Sequence, residues 1–373
     1  MLHLIFSAPC FYVLARFVAP LPWPLAIRIA LGAVMLVASQ YHFWCRLSSG
    51  SVFSPEFPRP LILLFNWAFG AILLLAVFQF AIDVATLALG TVRQGSMTIA
   101  APVRYGIGGL AAMLAAIGVV QAVRVPPVRT VTIEIAGLPD AFDGYRLVQL
   151  TDLHISRLFP QRWARAVVER ANALDADLIV VTGDFIDGSV AARQRDVAPL
   201  RDLAAPDGVW FVPGNHEYFF GYAEWMRHLA GLGLRPLLNA HTLISRAGTS
   251  VVLAGVTDLS APESGDAPPD LDAALAGMPS NSPIILLDHQ PRMARAAAKR
   301  GVAVQLSGHT HGGMIQGLDR IVARANGGYV SRRYDVDGMT LYVNNGTALW
   351  PGSALRLGVP SELTCITLRR KNI

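Results

Sequence analysis

The chain has 373 residues, 53% of them hydrophobic and only 15% charged, with a mean hydropathy of +0.42. That composition excludes a disordered chain and is too apolar for an ordinary soluble domain. The net charge of +5 sits entirely in the first third. Residues 1–125 hold seven Arg, no Lys, Glu56 and Asp83, whereas residues 126–373 hold 24 basic and 24 acidic side chains. A neutral C-terminal part removes the nucleic-acid reading that a pI near 9.3 would invite.

Four runs in the first third approach the roughly 20 apolar residues that a helix needs to cross a bilayer: Leu2–Val18, Leu25–Trp44, Leu61–Ile82 and Tyr105–Val123. Arg16 and Arg28 lie near run ends, where long cations snorkel toward headgroups. Trp23, Trp44 and Tyr105 stand at edges, as interfacial rings do. Met1–Phe6 lacks Lys and Arg, which argues against a cleaved signal peptide. Leu61–Ile82 is apolar nearly all round, which argues against a soluble bundle. Residues 1–125 are therefore predicted to be integral to a membrane, with about four spans and the bilayer as partner. Flanking arginines tie at four a side, Arg46, Arg59, Arg124 and Arg129 against Arg16, Arg28, Arg93 and Arg104, so charge does not orient the chain. Cys10, Cys45 and Cys365 form no CxxC pair and no disulfide framework.

Pro126–Pro127 ends the last run and opens a linker, 126–144, leading to a soluble domain over 145–373. Tyr145–Leu150, Leu178–Val181, Val209–Val212, Val251–Val256, Ile284–Leu287 and Val302–Leu306 are short apolar runs that read as strands. Leu341–Val343 and Leu363–Leu368 read as closing strands. Gln161–Leu174 has a helical period, and Ala192–Leu203 is helical around a start or break at Pro199. Ser260–Pro283, rich in Ala, Pro, Asp and Ser, reads as an exposed loop or insertion.

The chemistry lies where the strands stop. Asp152 and His154 follow the first, and Gly183-Asp184-Phe185-Ile186-Asp187 the second. Gly214-Asn215-His216-Glu217 follows the third, His289 follows Ile284–Leu287, and Gly308-His309-Thr310-His311-Gly312-Gly313 follows Val302–Leu306. In sheet-based α/β domains, ligands gather at the carboxyl ends of strands. An isolated His or Asp there is usually a loop, core or capping residue; five of the nine histidines falling at these ends is a different pattern. Mixed carboxylate, imidazole and amide ligands without thiolate suit Mn, Fe or Zn better than Ca or Mg. More candidates than one tetrahedral site can use point to two divalent ions.

The series D-x-H, GDxxD, GNHE, a lone His and GHxH, spread over about residues 130–370, resembles the calcineurin-like metallophosphoesterase superfamily. Ala136-Gly-Leu-Pro, the run Tyr145–His154 and Gly308–Gly313 are similar to its membrane-associated bacterial branch, whose relatives include phosphodiesterases and UDP-2,3-diacylglucosamine pyrophosphatases. The resemblance implies an α/β fold, a two-layer β-sandwich flanked by helices, with a dinuclear site at one edge. Asp152, His154 and His311 would hold one ion, Asn215, His289 and His309 the other, and Asp184 would bridge them. His216 matches the non-ligand catalytic histidine. Asp187 and Glu217 would orient ligands, or else serve as caps and turns.

The function so implied is membrane-anchored, metal-dependent hydrolysis of phosphoester or pyrophosphate bonds, of the phosphodiesterase or pyrophosphatase type. A lipid-linked substrate would gain effective concentration from tethering. Gly188 stands where Ser/Thr phosphoprotein phosphatases have a phosphate-gripping Arg, which disfavours a phosphoprotein substrate. The aromatics Tyr218, Phe219, Phe220, Tyr222 and Trp225 either wall an acyl or base pocket, with Phe219 and Trp225 foremost, or pack the next helix. Arg332 and Arg333 either bind a second phosphate or are solvated hairpin residues. The alternatives are a transporter or sensor regulated by the soluble domain, and a non-catalytic interaction module. The resemblance to nucleotide-lipid hydrolases implies a protein of the bacterial inner membrane whose catalytic domain faces the cytoplasm.

Overall fold

The computed structural model describes residues 2–93 and 99–371, with side chains at 7–92 and 99–371. The side chains of Met1–Phe6, in the first predicted span, and of Arg93 lie outside the described residues. Two compact units emerge: Met1–Ala122 with Pro351–Leu357, and Val123–Trp350 with Gly358–Ile373.

In the first unit the apolar runs are helices. α1 (Leu2–Val13) continues into a π-helical turn, Leu14–Val18. α2 (Leu25–Ser39) and α3 (Tyr41–Ser49) meet at a 50° bend. α4 spans Arg59–Arg93 and α5 spans Ala101–Val123. Among the described residues, two helices, Arg59–Val92 and Ala101–Val123, are long and apolar enough to cross a membrane, or three if the bent pair is one span; Ser7–Val18 is shorter. At 1.5 Å per residue, α4 is about 50 Å long, well beyond a hydrocarbon core of about 30 Å. Large apolar side chains such as Ile29, Val77, Phe80 and Val120 stand more than 60% exposed, a surface that water does not favour. Some polar residues near the helix ends pair with each other. Asp83 takes hydrogen bonds from Tyr12, Gln79 and Arg16 at 2.6, 2.8 and 2.9 Å, and Trp23 stacks on Tyr105.

The second unit is a sandwich of two six-stranded sheets. The strands are β1 (Val128–Ile135), β2 (Arg146–Leu150), β3 (Leu178–Thr182), β4 (Val209–Val212), β5 (Arg235–Pro236), β6 (Ala240–Arg246), β7 (Thr249–Gly255), β8 (Ile284–Leu287), β9 (Val304–Ser307), β10 (Arg332–Val336), β11 (Met339–Val343) and β12 (Leu363–Arg370). One sheet has the order β1-β12-β2-β3-β4-β5 and the other β10-β11-β9-β8-β7-β6. Ile133, Leu147, Val180 and Val212 of the first meet Leu253, Ile285, Leu306 and Tyr342 of the second in one buried core. Burial on both faces explains the unbroken apolar runs of β3 and β8. The outer face of the second sheet is covered by residues 271–278 and 293–298, including Leu271, Ala274, Ala294 and Ala297.

β2, β3 and β4 run parallel, as do β7, β8, β9 and β11. Parallel strands deliver their carboxyl ends to one rim, and that rim carries the polar motifs.

Several elements differ from expectation. Within the expected linker 126–144, Val128–Ile135 is an edge strand paired in parallel with β12. Its sequence V-R-T-V-T-I-E-I alternates, as a strand with one wet face should. The expected exposed loop 260–283 contains a short helix, Leu271–Leu275, capped by Asp270 and buried through Leu271 and Ala274. Pro199 begins a 3-10 turn after the helix Val190–Val197, consistent with its missing N–H.

Candidate metal centre

Each candidate ligand comes from the loop just beyond a parallel strand. Asp152, His154, Asp184, His309 and His311 all have φ between 42° and 69°. This left-handed region costs an L-residue energy, and Asp, Asn and His accept it most readily. The turns are tight because glycine permits it: a Cβ on Gly308 would lie 2.1 Å from Thr151 Oγ1 and 2.4 Å from Asp152 Oδ2.

The side chains converge into three overlapping groups: Asp152, His154 and His311; His154, Asp184 and His216; and Asp184, His289 and His309. Within each, one ligand atom per residue lies within 4.8 Å of the others. His154 Nε2 and His311 Nε2 face each other at 3.3 Å, with Asp152 Oδ1 3.6 Å from the latter. Asn215 Oδ1 lies 3.1 Å from His289 Nε2 and 2.9 Å from His309 Nδ1. His289 Nδ1 meets the Thr182 carbonyl at 2.7 Å. A carbonyl only accepts, so this contact puts the proton on Nδ1 and leaves Nε2 as a donor atom for an ion. Buried carboxylates and imidazoles whose lone pairs converge fit divalent ions of the borderline class.

The carboxylates behind these groups hold them in place. Asp187 reaches His154 Nδ1 at 3.1 Å through one oxygen and His216 Nδ1 at 2.5 Å through the other. Glu217 accepts the backbone N–H of Asp184, Phe185 and Gly214 at 3.0, 2.8 and 2.7 Å, tying two rim loops together. Burial opposes charge on His216, yet Asp184 and Asp187 outweigh it and push its pKa up to about 9. Burial opposes charge on Asp184 too, but His289 and His216 hold its carboxyl well below the usual range. Burial and the neighbouring His289 push His309 down to about 3, while burial and the charge of Asp184 push Glu217 up to about 8.

Of the residues expected to touch substrate, Phe219 is 45% exposed with its ring 5.3 Å from that of His216. Trp225 is corrected: it is fully buried and its indole N–H donates to the Gly188 carbonyl at 3.1 Å, so it packs its helix and walls no pocket. Arg332 lines a cleft of about 120 Å³ with Gly312, Gln316, Ser331 and Asn345; Arg333 does not line it. Sequence reasoning missed Asp258 and Asp288, both buried near His289. Asp258 accepts Ser260 N and Gln290 Nε2, and Asp288 accepts Gln305 Nε2. An Asp just past strand β7 or β8 was the available signal.

The family model for calcineurin-like phosphoesterases matches residues 145–313. A "Transmembrane protein with metallophosphoesterase domain" of Danio rerio is 33% identical over 273 residues, covering 70% of this chain and 61% of that protein. An "Uncharacterized metallophosphoesterase" of Helicobacter pylori strain J99 is 33% identical over 229 residues, covering 61% and 60%. The "Uncharacterized metallophosphoesterase YkuE" of Bacillus subtilis is 32% identical over 248 residues, covering 65% of this chain and 85% of that protein. The chain spans about three fifths of the length of the first two. The matched stretch contains the loops that carry the converging ligands, and on this footing the chain belongs to the calcineurin-like metallophosphoesterase family.

Proposed function

We propose that the chain is a membrane-anchored hydrolase of phosphoester or pyrophosphate bonds that works with two divalent ions. The observation that carries this reading is the overlap of the ligand groups, with Asp184 common to two of them. Asp152, His154 and His311 would hold one ion, Asn215, His289 and His309 the other, and Asp184 both. Such ions supply positive charge against the phosphate oxygens and lower the pKa of a water to make a nucleophile.

The chain's own residues do the rest. His216, its Nδ1 held by Asp187 and its pKa raised, carries a proton at neutral pH that can pass to the departing oxygen. Asp187 orients His154 and His216 together, and Glu217 fixes the backbone on either side of Asp184. Phe219 offers an apolar wall beside His216, suited to an acyl chain or a base. The Arg332 cleft suits a second polar group, such as the other phosphate of a pyrophosphate. Gly188 offers no guanidinium for a phosphoprotein. Exposed apolar helices support anchoring in a bilayer, and tethering favours a lipid-linked substrate. Residence in a bacterial inner membrane with the site facing the cytoplasm completes the reading. Asp83 is committed to Arg16, Tyr12 and Gln79, which leaves a transporter reading without its intramembrane carboxylate.

Detergent-purified protein should be offered Mn²⁺ with phosphomonoester, phosphodiester and nucleotide-lipid substrates, beside a chelated control. Cleavage of a diester or pyrophosphate that vanishes on chelation is expected. Failure to cleave any of them with Mn²⁺ bound would remove the hydrolase reading.

A further inference from the structure

Just beyond His311 the phosphoesterase unit carries a lobe that it does not bury. The helix Asp319–Ala325 within it has no buried residue. It begins against the metal-bearing rim: a Cβ on Gly313 would lie 2.6 Å from Asp319 Cα, and Asp319 lines the same cleft as Gly312 and Arg332. Leu318 and Ile321 are 44% and 64% exposed. At helical spacing they share one face with Val322 and Ala325, and Arg320 and Arg324, both exposed, run along its flank. A helix of seven residues is too short to be stable in water by itself. Packing an apolar face is what ordinarily stabilises such a helix, yet here that face looks into solvent.

The charge around the lobe is as uneven as its hydropathy. The domain from residue 126 onward is neutral, but residues 314–333 hold Arg320, Arg324, Arg332 and Arg333 against Asp319 alone. Arg292, also exposed, adds to this at the far end of the lobe, its Cα 3.8 Å from where a Cβ on Gly327 would sit. A free anion would meet the arginines and leave Leu318 and Ile321 in water. A bilayer surface satisfies both, with anionic headgroups for the arginines and the acyl boundary for the apolar face.

We propose that the segment Leu318–Ala325 docks the phosphoesterase unit on an anionic lipid surface. The inference rests on the membrane-anchored reading above. Only Arg124–Pro127 separate α5 from β1, so the chain itself keeps this unit close to any bilayer that α5 crosses, and no fixed seat against the helices is required. Docking would bring the rim that bears the metal ligands to the level of the headgroups, where a lipid-linked phosphate lies.

The test uses the full chain in lipid nanodiscs with a bimane fluorophore on Ala325→Cys, on the same face as Ile321. The native Cys10, Cys45 and Cys365 are buried, and wild-type chain labelled in parallel sets the background. Quenching by a lipid with a nitroxide near its headgroup reads contact, so that activity is not needed. Discs of phosphatidylglycerol should quench the label more than discs of phosphatidylcholine, the contact equilibrium shifting about fivefold for each arginine engaged. High salt should erase most of that excess. Arg320→Glu with Arg324→Glu should abolish it, and Leu318→Ser with Ile321→Ser should lower quenching in both kinds of disc. All of these side chains are exposed, so the fold should survive the changes. A label on Thr249→Cys, at the start of β7 and hence at the opposite end of the sandwich from the rim, should stay unquenched. Equal quenching in the two kinds of disc, or at positions 325 and 249, overturns the proposal, as does quenching indifferent to the changes at Arg320 and Arg324. A chain that fails to enter the discs overturns the anchoring reading and the proposal with it.

Discussion

Replacing Asp184 with Asn should strip metal from both halves of the centre, because one carboxylate serves two ligand groups. Asn215→Ala should weaken one half only, and elemental analysis after gel filtration distinguishes the two. His216→Ala should keep about two ions and lose about 10²–10⁴ in kcat, the usual worth of a positioned acid. His216 also lies within reach of His154 and Asp184, so metal loss in His216→Ala matching that in Asp184→Asn would make it a ligand. The same residues set the acid–base profile of the metal-free protein. His216 is raised to about 9 from an unfolded value near 6.5. Its contribution to stability is therefore complete below about pH 6.5 and lost as pH rises through about 9. His309 is lowered to about 3, so its contribution is present above about pH 6.5 and lost as pH falls toward 3. Glu217, raised to about 8, likewise loses its contribution as pH rises, so chelated protein should unfold at a falling temperature from about pH 6.5 to 9. A midpoint unchanged from pH 6.5 to 9 would contradict the raised value.

Among the elements, the short helix Asn215–Phe219 bears most directly on the rim, because Glu217 within it closes three backbone donors from two loops. Glu217→Ala should destabilise the unit by at least about 1–3 kcal/mol, the cost of leaving buried donors unpaired, measurable by chemical denaturation. β4 and β8 match their apolar runs to the residue, and β3 extends one residue beyond, since strands buried on both faces advertise themselves. The ligand-type residues were legible for the same reason: they sit directly past those strands. β1, β5, β6 and β10 were not read. β6 and β10 carry exposed residues such as Leu243, Arg332 and Arg333, and edge strands with one wet face resemble loops when read singly. Trp225 misled because an aromatic beside a motif looks the same whether it faces the cleft or the core. The pairing of Asn66 with Pro351 and Ala354 was hidden altogether, as those two partners lie more than 280 positions away.

For the whole molecule, alkaline carbonate should leave the chain in the membrane pellet, since spanning helices resist a treatment that strips proteins held by surface charge. Recovery in the supernatant would count against integral membership. A chain beginning at Val128 would retain every motif yet leave Pro351–Leu357 without Tyr41, Asn66 and Gly118. It should aggregate more readily than its composition suggests, through exposed Leu355. Replacing 351–357 with a Gly/Ser linker should cure the aggregation. Light scattering on the two truncated forms checks that expectation.

The left-handed backbone at Asp152, His154, Asp184, His309 and His311 also has a consequence in time. Each such residue stores about 1–3 kcal/mol that the surrounding fold must sustain. The hydrogen bonds of Asp187 and Glu217 and the close glycine packing bear that cost from within the protein, so capture should require no loop to refold. Loading of Mn²⁺ into chelated protein should follow one fast phase whose rate rises linearly with concentration. A rate that plateaus would reveal a slow opening step ahead of capture and show that the rim relaxes when empty.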